Sequence, residues 1–519
     1  MRKLLVITAL FLNIHSSRGQ QAATQRQTVT PQQITTPDQT VTPQQTVTPP
    51  MGWNSYNCFG SAVHEDEVKE NASYMAQYLK SYGWRYIVVD FLWSYDNPPG
   101  SFIGNPFQQR LQDGSYIPWL EMDKWGRLTP DIHKFPSAFG GKGFGPLAAY
   151  VHSLGLKFGI HVMRGIPRQA VWAHSPVLGT NGITADQVAD TNSTCPWMNH
   201  MYGLDMDKPG AQEYLNSLLR LYAGWGVDFI KVDDISRPYH SREIEGYRKA
   251  IGSCGRPIVL SLSPGETPLK DSAHVRRYAD MWRMADDFWD SWKQLLKMFD
   301  YARQWEGVGG DGHWPDCDMM QIGRVSKRGP VGPERWSRLT EDELRTHVTF
   351  WCIYRSPLML GGNLPENRPF ETQLLTNPEV LAADQQGANP RQIFKEDGKM
   401  VWVSTAPGPT ASGAIPTASG ANSFYVALFN IGDSAQDVRV DFASLGLKGK
   451  VSVRDCWKRS DAGVFEHGYG QHLPAHGATL IRVSPLIHRP NRMSIAPVPS
   501  TNRGTGYSFN SSDNSSSTL

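Results

Sequence analysis

GWGVDFIKVDD, residues 224–234, is a short apolar run that closes on paired acids. Read as a buried strand ending at Asp233, it places Lys231 on the same face as that acid, because strand side chains alternate. Runs of the same kind recur at 51–53, 86–90, 158–162, 258–262, 281–284, 318–322 and 358–360, separated by longer amphipathic stretches, and several of them also end in a carboxylate. Strand–helix alternation of this kind, in eight units over 49–385, predicts an α/β fold: a (β/α)8 TIM barrel whose active site forms at the C-terminal strand ends. An open doubly wound sheet is the alternative architecture, but no GxGxxG or P-loop sequence follows any of the runs.

Further along, 386–486 changes to short alternating runs (MVWVS, SFYVALFN, VRVDF, VSVRDCW, TLIRVS) between turn residues, which predicts a C-terminal antiparallel β-sandwich. PTASGA occurs twice within 406–422, the mark of a loop insertion with no fold of its own. At the other end, Arg2 and Lys3 precede an apolar run at 4–14 and Ser17-Arg18-Gly19 offers a cleavage site, so residues 1–19 read as a signal peptide. Secretion, extracellular or periplasmic, is therefore expected, with a retained signal anchor as the alternative. No later run is long and apolar enough to span a bilayer. The Gln/Thr/Pro tract at 20–48, with TVTPQQ at 28–33 and 40–45, reads as a disordered spacer or a wall-binding segment, and 487–519 as a disordered tail.

With 51 basic and 49 acidic residues among 519, nothing points to nucleic acid or an anionic membrane, and a neutral substrate fits better. Seventeen Trp, 19 Tyr and 20 Phe suit a protein that stacks rings on sugars, although core packing uses the same residues. Cys58, Cys195, Cys254, Cys317, Cys352 and Cys456 lack CxxC spacing, which disfavours a zinc site and leaves disulfides permitted but not required. Asn71, Asn192, Asn510 and Asn514 begin glycosylation sequons, and a homodimer is compatible with the sequence.

Glycosidic hydrolysis needs a carboxylate on each side of the anomeric carbon, about 5–5.5 Å apart in a retaining enzyme. Three acidic clusters offer candidates: Asp233 and Asp234, Asp286 and Asp287 after Arg283, and Asp316 and Asp318 on one side of an extended segment. Any one pair alone can equally cap a helix or bind calcium.

Five segments in order, PPMGWNSYN (49–57), YIVVDFLW (86–93), GWGVDFIKVDD, WRMADDFWDSW (282–292) and GHWPDCDMMQIG (312–323), resemble glycoside hydrolase family 27. These are the melibiase-type α-galactosidases and α-N-acetylgalactosaminidases, and the resemblance runs from Pro50 to about Pro485. It implies a barrel followed by a β-sandwich, no metal or organic cofactor, a carbohydrate substrate, and retaining exo-hydrolysis of terminal α-D-galactosyl residues. Matched residue by residue, it makes Asp233 the nucleophile and Asp287 the acid/base, the latter starting protonated. Lys231, Arg283, Asp90, Trp93 and Asp318 match sugar-binding positions, with Asp90 gripping the 4- and 6-hydroxyls.

Departures from the family pattern concern the sugar. Phe91 stands where a second aspartate is usual, which removes a polar grip and would either tolerate a sugar lacking the exocyclic CH2OH, such as β-L-arabinopyranose, or stack on a second sugar. Ser263 occupies the place of a glutamate that faces the 2-substituent, Tyr56 replaces a tryptophan, and Ile235 stands near a usual cysteine. His161 and Arg164 fall where other pocket residues lie, or else serve the core. Glycon alternatives are therefore β-L-arabinopyranoside and α-N-acetylgalactosaminide, and outside enzymes a secreted sugar-binding protein without turnover.

Overall fold

The computed structural model describes residues 46–95, 109–110, 116–117, 120–407 and 423–486. The signal peptide, nearly all of the spacer, most of the PTASGA insertion, the tail and the sequons at Asn510 and Asn514 lie outside the described residues.

Eight parallel strands form one curled sheet: β1 (Met51–Asn54), β2 (Tyr86–Val89), β3 (Lys157–Met163), β4 (Phe229–Asp233), β5 (Val259–Leu262), β6 (Met281–Arg283), β7 (Trp314–Asp316) and β8 (Leu358–Leu360). Their order is β7-β6-β5-β4-β3-β2-β1-β8, and a single parallel bridge between Met320 and Leu360 brings the two ends together. Each strand is followed by a helix: α1 (Glu65–Tyr74), α2 (Gly145–Ser153), α3 (Ala211–Trp225), α4 (Ser241–Ser253), α5 (Ser272–Tyr278), α6 (Trp292–Gln304), α7 (Glu341–Tyr354) and α8 (Pro378–Gln386).

One expected strand is displaced. The seventh is Trp314–Asp316, not 318–322, and Asp318 has a left-handed backbone (φ 77°), so Asp316 and Asp318 do not share an extended segment. Pro315 conceals the strand in the sequence because it cannot donate to a ladder, a defect tolerated on a strand with one laddered neighbour. Met319, Met320 and Ile322 mimic a strand because they are buried beneath the barrel's rim.

Alternation along β4 aims the chemistry. Phe229 joins Tyr86, Val88, Val259, Met281 and Trp314 in the barrel interior, whereas Ile230 and Val232 face the helices. Lys231 and Asp233, in phase with Phe229, therefore also point inward. Entry to β4 is set by Gly226, whose left-handed backbone (φ 87°) ends α3.

The C-terminal domain packs a six-stranded antiparallel sheet against a two-stranded one. The large sheet comprises β9 (Ala388–Glu396), β10 (Lys399–Ala406), β11 (Ser423–Asn430), β13 (Val451–Asp455), β14 (Ser460–Phe465) and β16 (Ala478–Pro485); β12 (Gln436–Asp441) and β15 (Gly468–Leu473) form the small one. Val401, Val403, Val426 and Leu428 fill the space between the sheets, while the alternate residues Met400, Trp402, Ala427 and Phe429 pack toward the barrel.

All six cysteines are unpaired. Asn71 is buried, with its amide bonded to Asn363, Glu67 and Leu364, so that sequon is closed to a glycan in the folded chain. No helix among the described residues is long and apolar enough to cross a membrane.

Candidate active site

Asp233 ends β4 at the C-terminal mouth of the barrel. Its Oδ2 lies 3.0 Å from His161 Nε2, on neighbouring β3, and its Oδ1 accepts the Asp234 N–H at 3.1 Å. Burial opposes ionisation of this carboxyl, but the His161 hydrogen bond and the charges of His161 and Lys231 outweigh it and lower its pKa. Behind it, Arg164 donates to the backbone oxygen of Asp233 and holds Asp234 (2.9 Å) and Glu243 (2.9 Å). His161 and Arg164 thus both serve the candidate nucleophile, and their partners, some seventy residues downstream, are not apparent from local spacing.

Asp90 follows β2 and is fully enclosed. Lys231 Nζ (3.0 Å) and Asn54 Nδ2 (2.6 Å) both donate to its Oδ2, and Phe91 N–H donates to Oδ1 (2.9 Å). Burial would raise its pKa, yet Lys231, His161 and Asn54 together hold it at about 2. Lys231, despite its burial, is driven above the ordinary lysine range by Asp90 and Asp233. Asn54 is a site residue that the sequence reading passed over, although it stands at the end of the first strand, where pocket residues are expected.

Arg283, at the end of β6, approaches Asp287 with Nη2 (3.2 Å) and Asp318 with Nη1 (2.7 Å). Asp287 is 42% exposed at its side chain whereas Asp318 is 1% exposed, so the first faces the opening and the second lies beneath it. Asp286, adjacent in sequence, turns away to pair with Arg237 at 2.8 Å on the surface. Tyr56 is largely buried at this end of the barrel: burial raises its pKa, and the charges of Asp287, Asp90, Asp233 and Asp318 raise it further. The Lys231 ammonium lies 5.6 Å from the centre of the Tyr56 ring.

Phe91 is buried beside Asp90, with its ring 6.2 Å from Tyr56, 5.4 Å from His161 and 5.9 Å from Trp197, a half-exposed indole that the sequence reading did not single out. Ser263 lines a small internal cavity together with Asn54, Lys231, Arg283, Asp316 and Asp318. Trp93 corrects an expectation. It donates its indole N–H to the His161 carbonyl (2.5 Å) and packs among Phe144, Tyr222 and Trp225, so it props the barrel wall rather than lining the pocket.

Comparison with known proteins identifies the family. Residues 201–386 match the family model for alpha galactosidase A, and residues 414–483 match that for the alpha galactosidase C-terminal beta sandwich domain. A GH27 β-L-arabinopyranosidase from Geobacillus stearothermophilus, solved with arabinose, is 48% identical, covers 86% of this chain and 99% of its own, and superposes with a TM-score of 0.78. An α-galactosidase from Cyamopsis tetragonoloba is 25% identical, covering 84% of this chain and 86% of its own. α-Galactosidase I of Mortierella vinacea, 21% identical over 85% of this chain and 98% of its own with a TM-score of 0.61, shares the fold. With 48% identity across nearly the whole of a solved GH27 enzyme, on a barrel that gathers strand-end acids at its mouth, this chain belongs to glycoside hydrolase family 27 and is a glycosidase acting on carbohydrate.

Proposed function

We propose that the chain is a retaining exo-glycosidase that releases terminal β-L-arabinopyranosyl residues. The observation that carries the glycon is Phe91: its buried ring stands beside Asp90, on the side where a galactose-holding site would put a second carboxylate. β-L-Arabinopyranose has the ring configuration of α-D-galactose without the exocyclic CH2OH. An aromatic wall favours the smaller sugar, while Asp90 and Lys231 remain to hold the ring hydroxyls. The 48% identical arabinopyranosidase supports the same reading.

In this mechanism Asp233 attacks the anomeric carbon, held ionised by His161 and Lys231. Asp287 protonates the departing oxygen, then removes a proton from the water that cleaves the glycosyl-enzyme. Arg283 stands beside Asp287 and orients it. A second reading, α-D-galactoside hydrolysis, is favoured by the α-galactosidase from Cyamopsis tetragonoloba and by the Asp90–Lys231 pair.

The deciding experiment sets p-nitrophenyl β-L-arabinopyranoside against p-nitrophenyl α-D-galactopyranoside, with wild type beside Asp233→Ala and Asp287→Ala. We expect the arabinopyranoside to be preferred by about a hundredfold in kcat/KM, the scale on which an apolar pocket rejects an added hydroxyl-bearing group. Both variants should fall by several orders of magnitude. Preference for the galactoside moves the assignment to the second reading, and inertness of wild type on both removes it.

A further inference from the structure

The acid/base role needs Asp287 fixed over the leaving oxygen, yet this carboxylate is 42% exposed and lies on the loop that follows β6. We propose that Asp318 is the positioning residue that fixes it, through two ties made from below. The inference rests on the assignment of Asp287 as acid/base.

The first tie is ionic: Asp318 Oδ1 lies 2.7 Å from Arg283 Nη1, and the other terminal nitrogen of the same guanidinium meets Asp287 at 3.2 Å. The Nη1 contact is a charge pairing without hydrogen-bond geometry, and because a guanidinium is planar and rigid, the pull on one nitrogen bears on the placement of the other. The second tie is to the backbone. Asp318 Oδ2 accepts the N–H of Phe288, the residue directly after Asp287, at 2.6 Å. One carboxylate therefore holds both the side-chain partner of Asp287 and the peptide that carries it.

Asp318 is itself anchored. Its N–H donates to Asp316 Oδ1 at 2.8 Å, and its carbonyl accepts the Trp351 indole N–H from α7 at 2.9 Å. Phe288, held at the other end, packs against Trp351 with ring centres 5.2 Å apart. With both oxygens committed and its side chain 1% exposed, Asp318 supports the acid from beneath. Asp316 stands under the same arginine, paired in register with Arg283 on the β6–β7 ladder.

Leaving-group dependence of kcat/KM tests this, since kcat/KM reports the glycosylation step, in which a misplaced acid harms only substrates that need a proton. Wild type, Asp318→Asn, Asp318→Glu, Asp287→Ala and the surface control Asp286→Asn would be compared on phenyl and 2,4-dinitrophenyl β-L-arabinopyranosides, or on the matching galactosides if those are the substrate. For Asp318→Asn, kcat/KM on the phenyl glycoside should fall by about a hundredfold, the range of general acid catalysis, while kcat/KM on the dinitrophenyl glycoside stays within about threefold. Asp318→Glu, which keeps the charge but misplaces it, should show the same selectivity to a smaller degree, and Asp286→Asn should match wild type. Equal loss on both substrates in both Asp318 variants, or no loss on either, overturns the inference. If Asp287→Ala itself shows no leaving-group dependence, the acid/base assignment falls instead. Selectivity at Asp287 without selectivity at Asp318 removes the positioning role alone.

Discussion

At position 91 a phenyl ring lies against His161, the residue that touches the candidate nucleophile, so its size and its lack of charge act on the same pocket. Replacing it by the family's usual acid would open space for an exocyclic CH2OH and supply a hydrogen-bond acceptor. Phe91→Asp should raise kcat/KM for p-nitrophenyl α-D-galactopyranoside by about tenfold or more and lower it for the β-L-arabinopyranoside, a reversal measurable with the same two substrates. A parallel loss on both sugars would mean that Phe91 serves packing alone. Asp233, Lys231 and Asp90 were legible in the sequence because an apolar strand announces itself and its period of two fixes which residues share a face. The His161–Asp233 contact was not, since it joins residues 72 positions apart through a register that only the folded sheet defines.

Among elements, α7 joins the two domains. It begins with a capping box in which Thr340 accepts the Glu343 N–H at 3.2 Å and Glu343 Oε2 accepts the Thr340 N–H at 2.8 Å. The other Glu343 oxygen meets His476 of the sandwich at 2.7 Å, and Thr346 donates to the His476 carbonyl at 2.6 Å. The cap therefore anchors a domain contact as well as a helix end. Thr340→Ala should cost about 1 kcal/mol, the usual loss for a hydroxyl cap, seen as a lower urea midpoint with unchanged slope. An unchanged midpoint would show that the domain contact holds the helix without its cap. The β-sandwich was readable from alternation because each strand buries its two faces differently, Val401 and Val403 inward, Met400 and Trp402 toward the barrel. β7 was not, because a proline and only three residues leave no pattern to read, while the neighbouring methionines carry one.

At the scale of the whole molecule, a single apolar cluster runs from the barrel into the sandwich, with Phe299, Phe350 and Phe429 in mutual ring contact and Trp402 against Phe350. Beside this junction His347 is buried between Phe288 and Trp351, and neither of its ring nitrogens has a protein hydrogen-bond partner among the described residues. Burial pushes its pKa down to about 3, and burial with the nearby charge of His161 does the same to His200. In the unfolded chain both return to about 6.5. Between those values the unfolded state takes up protons that the folded state refuses, so stability present above about pH 6.5 drains as pH falls toward 3, by about 1.4 kcal/mol per pH unit for each histidine. His347→Leu isolates one of the two histidines. Urea unfolding at a series of pH values should show a constant difference from wild type above pH 7, with the variant gaining about 1.4 kcal/mol per unit from about 6.5 down to about 3. A difference that stays flat across that interval would mean that His347 takes up its proton in the folded protein as readily as in the unfolded chain.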